Sequence, residues 1–521
     1  MKHFSTTSSR FILVLALILM MTLTTRAEVH YEMVEQWGLV FELHIDEENP
    51  DNSEAVLMAR SVDQPLDNEV LGYGPDSILY IPSLFQDEYH YLPVTDIMSC
   101  AFGGCDELKT VYIPASIKTI GERAFAGSSV ETVYFMRDYN EESTEPITIG
   151  QEAFRECNRL DAVQFERPID EFSPYLFMSC PNLVEIMFDY DATVRKIGTC
   201  ALANCVNLTW MQVPYGLEVI GNGAFANCYN LQRFSFPESV TRIGDYAFAE
   251  CGQLRYASLP SSLSAIGSHA FLNCSTLTQI VIPSRVVSIK DYAFACCRSL
   301  TNLRLHNNLQ SIGDFAFAGC ASLPGIDLPS SLMTIGRDAF MCGEIHCNIW
   351  SSKNLTDSTQ LGISIYQYAY DIMDGHFDHI NIGSNVTAIG DQAFAGHAPS
   401  TVVCMAPNPP TISYDSQHER TFSLDAYANA VLRVPRVLVN SYRNAVGWKR
   451  FVNIEGIEIM GNGDVDNDGS LTINDVTTII DFLLSKQDSG INLVNSDLDG
   501  DGVVSINDVT NMIDALLNGN L

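Results

Sequence analysis

The chain has little positive charge: 29 lysines and arginines stand against 63 aspartates and glutamates, a formal net charge of −34. A field of that sign repels phosphate backbones and anionic lipid, so no nucleic acid partner is expected, while solubility and cation binding are favoured. Long hydrophobic runs are scarce too. The only one, Phe11 to Leu23, follows Lys2 and Arg10 and precedes Thr25-Arg26-Ala27. It falls short of the roughly 20 residues of a spanning helix and has the layout of a secretory signal, with cleavage expected after Ala27 and no transmembrane anchor left behind. No cysteine lies near that point, so a lipid anchor is not expected. Catalytic motifs are missing as well: there is no H-E-x-x-H, no G-x-S-x-G and no phosphate-cradling glycine loop. With 63 carboxylates a glycosidase-like pair could arise by chance, so such a pair carries no weight and an enzyme is not expected.

What the chain does have is a block of 23 residues recurring without slippage from Leu202 to Phe340. One copy reads Leu217, Ile220, Ala224, Phe225, Cys228, Leu231, Phe234, Phe236 and Pro237; the next reads Val240, Ile243, Ala247, Phe248, Cys251, Leu254, Ala257, Leu259 and Pro260. Looser copies place Phe102, Phe125, Phe154 and Phe177 in the same slot. A unit this small cannot bury its own apolar face, so each copy must stack on its neighbours around a continuous core. The period-two segment Leu231 to Phe236 reads as a strand ended by Pro237. Ile243 to Phe248 reads as a turn or short helical segment, with Gly244 supplying a backbone angle that a Cβ would obstruct.

The pattern I-G-x-x-A-F-x-x-C-x-x-L resembles the BspA-like family of bacterial leucine-rich-repeat proteins, over roughly Val94 to Val403. The resemblance implies an α/β solenoid, a right-handed horseshoe of 23-residue repeats with β caps. It also implies adhesion or protein interaction, and a secreted, extracellular or bacterial cell-surface location. The expected organisation is a signal peptide (1–27), an N-terminal β cap (28–93), the repeats (94–404), a C-terminal cap or linker (405–460) and a tail (461–521). Segments Ala406 to Pro410, Val431 to Pro435 and Tyr442 to Trp448 resemble the family's closing unit.

Nine of the 15 cysteines occupy one slot, three residues after the Phe slot. Neighbouring coils about 4.8 Å apart hold equal side chains parallel and further apart than the Cβ separation of a disulfide, near 3.8 Å. Cys205, Cys228, Cys251, Cys274, Cys297 and Cys320 are therefore expected as a ladder of small buried thiols. Any bridge would fall on Cys100, Cys200, Cys296, Cys342, Cys347 or Cys404, and a weak zinc spacing joins Cys342, His346 and Cys347.

The sharpest chemistry lies in the tail. Asp464, Asp466, Asp468, Ser470, Thr472 and Asp475 fill positions 1, 3, 5, 7, 9 and 12 of a twelve-residue loop with Gly469 at 6. Asp497, Asp499, Asp501, Val503, Ser505 and Asp508 repeat the pattern 33 residues later, around Gly502. Calcium wants six to eight oxygens, and this spacing wraps them around the ion while glycine takes the sharp turn; Ser470 and Val503 would offer backbone carbonyls. Two ions are expected. Each loop leads into helical apolar spacing, Val476, Ile479, Ile480 and Leu483, then Val509, Met512, Ile513 and Leu516.

This loop-helix duplicate looks like a type I dockerin, a small all-α module, which implies calcium-dependent docking to a cohesin-like protein. The family's recognition positions correspond to Ile473 with Asn474 and Ile506 with Asn507. On the solenoid, outward strand positions stack in columns. Tyr112, Tyr134, Met187, Trp210, Arg233, Tyr256 and Arg304 are the candidates there for contact with an unidentified protein or glycan. The function expected is a non-catalytic binding or adhesion scaffold. The alternative is an accessory component of a polysaccharide-degrading assembly, its solenoid holding glycan.

Overall fold

The computed structural model describes residues 29–36, 39–46, 49–60, 78–138, 145–189, 192–344, 371–372, 377–412, 421–468, 470–485 and 491–518. The signal segment, Gly469, and the zinc candidates His346 and Cys347 lie outside the described residues.

The amino end is an antiparallel meander of Val29–Gln36, Leu39–Asp46 and Glu54–Arg60. Leu39, Phe41 and Leu43 alternate on its inner face with no exposure. Its last strand then pairs in parallel with Tyr91–Ile97, which pairs in turn with Thr119–Ile120. The meander thus covers the first coil and hands its sheet to the solenoid, as stacked repeats with an open apolar end require.

Most repeats contribute to two parallel sheets. Arg233–Ser235, Tyr256–Ser258, Gln279–Val281 and Asn302–Arg304 form consecutive rungs of one. The two-residue strands Val219–Ile220, Arg242–Ile243 and Ala265–Ile266 form the other. Between them the chain makes tight turns rather than helix. The glycine before each turn has a different role from the one its position suggested. Gly244 and Gly267 are not among the residues at positive φ. Instead, a Cβ on Gly267 would lie 2.4 Å from the Asp245 nitrogen on the preceding coil, so glycine lets these two coils close, although Lys290 fills the same slot one coil further on. The positive φ falls two residues later, on Tyr246 (58°), His269 (59°), Tyr292 (56°) and Phe315 (56°).

Aromatic stacking offsets that backbone cost of about 1–2 kcal/mol per residue. Tyr246, His269, Tyr292 and Phe315 lie face to face at 4.3, 4.6 and 4.7 Å, forming a second, outer layer with Leu272, Cys296 and Met341. Inside, Phe225, Phe248, Phe271, Phe294, Phe317 and Phe340 stack at 5.1 to 5.4 Å. The ladder continues to Phe394 at 5.6 Å and Phe422 at 5.4 Å. Gly325–Asp327 pairs directly with His379–Ile382, so the repeat resumes in register although the sequence period fails after Phe340.

The described cysteines are all free, and the ladder thiols are buried. They are more than small apolar fillers. Cys228 donates to the Leu202 carbonyl (3.1 Å), Cys251 to Phe225 (3.2 Å) and Cys274 to Phe248 (3.2 Å), each reaching the Phe slot of the coil before. Burial pushes Cys205 up to about 12 and holds the ladder as thiols.

The closing segments read separately in the sequence meet at the carboxyl end. Thr401–Cys404, Val431–Pro435 and Asn453–Ile457 extend the strand sheet. Tyr442 donates to the Ala406 carbonyl at 2.9 Å and Trp448 to the Pro410 carbonyl at 2.8 Å; both rings are fully buried, Trp448 between Phe422 and Tyr442. The tail follows as helices Ile473–Ser485 and Ile506–Asn518 around Val465, Val476, Ile479, Leu498, Val504, Val509 and Met512. Val437 of the cap packs against both cores.

Candidate functional site

In the tail, each loop folds back over the start of its own helix because the carboxylate at position 12 holds it there. Asp475, fully buried, accepts backbone N–H bonds from Val465 (2.7 Å), Asp466 (3.2 Å) and Thr472 (2.8 Å). Asp508 does the same for Leu498 (2.9 Å), Asp499 (3.4 Å) and Ser505 (2.8 Å). That closure gathers Asp464, Asp466 and Asp468 so that one oxygen from each lies within 4.8 Å of the others, and likewise Asp497, Asp499 and Asp501. Asp475 and Asp508 stand outside these triplets and tie the backbone.

The second loop shows most directly what it is built for. Asp497 is 2% exposed; one oxygen accepts the Gly502 N–H at 2.9 Å and the other is buried with no hydrogen-bond partner. Burial, with Asp508, Asp501 and Asp499 nearby, pushes its carboxyl up against that bond. An all-oxygen donor set with a buried free lone pair and mutually repelling carboxylates suits a hard divalent cation. Gly502, at φ 85°, makes the turn.

The expected recognition residues sit at the helix starts. Ile473 and Ile506 are 65% and 66% exposed, and Asn474 and Asn507 are exposed beside them. Ile480 and Ile513, which their spacing grouped with the buried face, are 36% and 39% exposed. Together with Leu484 and Leu517, at 80% and 77%, they complete a stripe on each helix. Leu484 and Leu517 were missed by the sequence reading, though their i+11 spacing from Ile473 and Ile506 and their 33-residue repeat were visible.

On the solenoid the structure sorts the candidate column into two kinds. Tyr112 and Tyr134 are half-buried and stack on each other at 4.7 Å, and Tyr80, which the sequence reading passed over, stacks on Tyr112 at 4.7 Å. Met187 continues their row through Gln164 and is half-buried. Trp210, Arg233, Tyr256 and Arg304 are exposed, Trp210 on a segment with no strand of its own.

The geometry defines a leucine-rich-repeat solenoid carrying a paired loop-helix module. Among family descriptions, "BspA type Leucine rich repeat region" matches residues 91–194, 141–255, 172–297 and 264–401, in six copies. "Dockerin type I domain" matches residues 462–517. The chain belongs to the BspA-type leucine-rich-repeat family and ends in a type I dockerin. A comparison with curated proteins gives no match.

Solved structures similar to it include a leucine-rich repeat protein from Bacteroides ovatus, 21% identical over 73% of this chain and 94% of that one (TM-score 0.41). A leucine-rich cell surface protein from Faecalibacterium prausnitzii is 20% identical over 70% and 92% (TM-score 0.35). The pneumococcal vaccine antigen PcpA is 16% identical over 82% and 99% (TM-score 0.45). Leucine-rich repeats and dockerins are non-catalytic module types of extracellular or surface proteins, and type I dockerins bind calcium. Among the described residues no helix is long and apolar enough to cross a membrane.

Proposed function

We propose that the protein is an exported interaction scaffold, whose solenoid holds a ligand and whose tail docks it, with calcium in both loops, to a cohesin-like partner. The observation carrying this reading is the duplicated tail. Two loops gather carboxylates in the same way, and each leads into a helix whose exposed isoleucine and leucine stripe recurs 33 residues on. Six large aliphatic side chains left in water on a module this small form the kind of apolar centre that partner interfaces bury.

Calcium would be held by the Asp triplets with the Ser470 and Val503 backbone carbonyls at position 7, Thr472 and Ser505 at position 9 and Asp475 and Asp508 at position 12, and it would relieve the repulsion among the carboxylates. Asp475 and Asp508 would keep the loops closed whether or not the ion is bound. Export by the amino-terminal signal and location outside the cell accord with the module types. The dockerin favours membership of a polysaccharide-degrading assembly over free adhesion, since such a tail determines where the solenoid is carried.

The test is to immobilise the full chain and pass a panel of cohesin modules over it with calcium and with chelator. Retention that needs calcium and is lost in the Ile473→Asp, Ile506→Asp double variant is the expected result. Calcium binding by titration with no retention of any cohesin would reduce the tail to a structural module and overturn the docking role.

A further inference from the structure

The outward strand positions change character along the solenoid. At the amino-terminal end Asp161 and Glu185 lie on this face, and beyond the middle Asp327 does. From Thr209 to Arg304 the outward strand residues include no carboxylate at all, in a chain with 63 of them. Arg233, Arg255 and Arg304 project there instead. Several cations elsewhere are paired, as in Arg195 with Glu218 at 3.2 Å and Lys196 with Glu171 at 2.8 Å. Among the described residues these three arginines have neither ion pair, side-chain hydrogen bond nor ring partner. Glu238, in the turn leaving the first of these strands, is occupied by the Ser261 hydroxyl at 2.8 Å.

Two aromatic side chains share the face. Trp210 is 47% and Tyr256 54% exposed, and neither ring is stacked on another. This separates them from Tyr80, Tyr112 and Tyr134, which cover one another's faces and offer mainly their edges. Arg233 and Tyr256 are paired outward positions, and the Gln232 N–H bonds the Thr209 carbonyl at 3.0 Å, which sets Trp210 on the coil beside Arg233; with coils about 4.8 Å apart, the two free rings flank a guanidinium about 10 Å from one another.

We propose that the strand face from Trp210 to Arg304 binds an acidic polysaccharide, a glycan bearing carboxylate or sulfate groups. Trp210 and Tyr256 stack on its sugar rings, and Arg233, Arg255 and Arg304 pair with its anions. The guanidinium fork matches a planar carboxylate or a sulfate edge with two parallel hydrogen bonds. The remaining outward residues, among them Gln279, Asn302, Ser235 and Ser258, are amides and hydroxyls suited to a hydroxyl-rich polymer. An acidic protein segment fits less well, because protein interfaces centre on a buried apolar patch and the exposed aliphatic on these strands is Val281 alone. The overall negative charge does not forbid an anion here. At physiological salt, fields from exposed charges decay over about 8 Å, so the local arginines govern contact.

This inference rests on the reading of the solenoid as the scaffold's binding element. The test is calorimetric titration of the calcium-loaded full chain with four probes: oligogalacturonate, a sulfated glycan, a neutral glucan of equal length, and polyglutamate. Binding of oligogalacturonate or the sulfated glycan is expected, and the comparison identifies which anion the arginines prefer; glucan and polyglutamate should not bind. Trp210→Ala and Arg233→Gln/Arg255→Gln should each weaken binding at least tenfold with unchanged melting temperature, while Arg195→Gln leaves it unaltered. Failure of both anionic glycans to bind, equal binding of glucan, preference for polyglutamate, or indifference to these substitutions would each overturn the proposal. Calcium-dependent cohesin capture, measured on the same variants, reads the docking role separately.

Discussion

Replacing His269 by Phe should stabilise the protein, and more so in acid. The imidazole sits between Tyr246 and Tyr292 at 4.3 and 4.6 Å, is 9% exposed, and neither ring nitrogen has a hydrogen-bond partner. Burial pushes it from 6.5 down to about 4, against the pull of Asp291 and Asp245. A folded-state value below the unfolded one means that the neutral form is favoured by folding. Its stability is therefore complete above pH 6.5 and is lost as pH falls from 6.5 towards 4. At 1.36 kcal/mol per unit, that loss amounts to about 2–3 kcal/mol by pH 4.5.

Phenylalanine has no nitrogen to leave unsatisfied, which is worth about 1–3 kcal/mol at neutral pH, and Phe315 already occupies the same slot at φ 56°. The assay is thermal unfolding of wild type and His269→Phe, with calcium, at pH 7.5 and pH 4.5. The variant should melt higher at both, with the gap wider at pH 4.5 by the equivalent of about 2 kcal/mol. A gap that does not widen in acid would show that the imidazole is hydrated or paired in solution and would refute the reasoning.

Two further substitutions test buried charges. Asp338, 2% exposed, is pushed up from 3.8 to about 7 by burial, opposed by Arg337 and reinforced by Asp391 and Asp314. Its folded value is raised, so ionisation opposes folding and stability is lost as pH climbs from 3.8 to 7; Asp338→Asn should gain about 2–4 kcal/mol at pH 7.5 and almost nothing at pH 4, by denaturant midpoint. Arg167 is buried without a carboxylate and donates to the Ala115 (2.8 Å), Ile117 (2.9 Å) and Glu145 (2.7 Å) carbonyls. Arg167→Met should cost about 3 kcal/mol or more by leaving these acceptors unsatisfied, and a change below about 0.5 kcal/mol in the unfolding midpoint would show that water replaces the guanidinium there.

The repeat was legible in the sequence because a solenoid makes the same demand every 23 residues, so Phe248 and Cys251 announce their neighbours at fixed offsets. The calcium loops were legible for a related reason: their ligands come from one short segment, and local spacing fixes local geometry. Other features depend on residues that meet only after stacking. Gly244 looked like a turn glycine, yet it is the following Tyr246 that carries the positive φ, while glycine there answers to the backbone of the coil beneath. The outer aromatic layer of Tyr246, His269, Tyr292 and Phe315 was hidden because each member is a different residue type in one slot.

By itself the sequence determined the solenoid, its capped ends, the thiol ladder and the carboxylates of the tail, all set by short-range periodicity. Only the tertiary structure decided which outward residues are free to bind. Tyr112 and Trp210 looked alike as exposed aromatics. Stacking covers Tyr112 from both sides, whereas Trp210 meets no ring on the coils beside it. The same holds in the tail, where helix packing buried Val476 and Ile479 and left Ile480 and Leu484 in water. Exposure is a property of what lies across the gap, and no spacing along the chain records that.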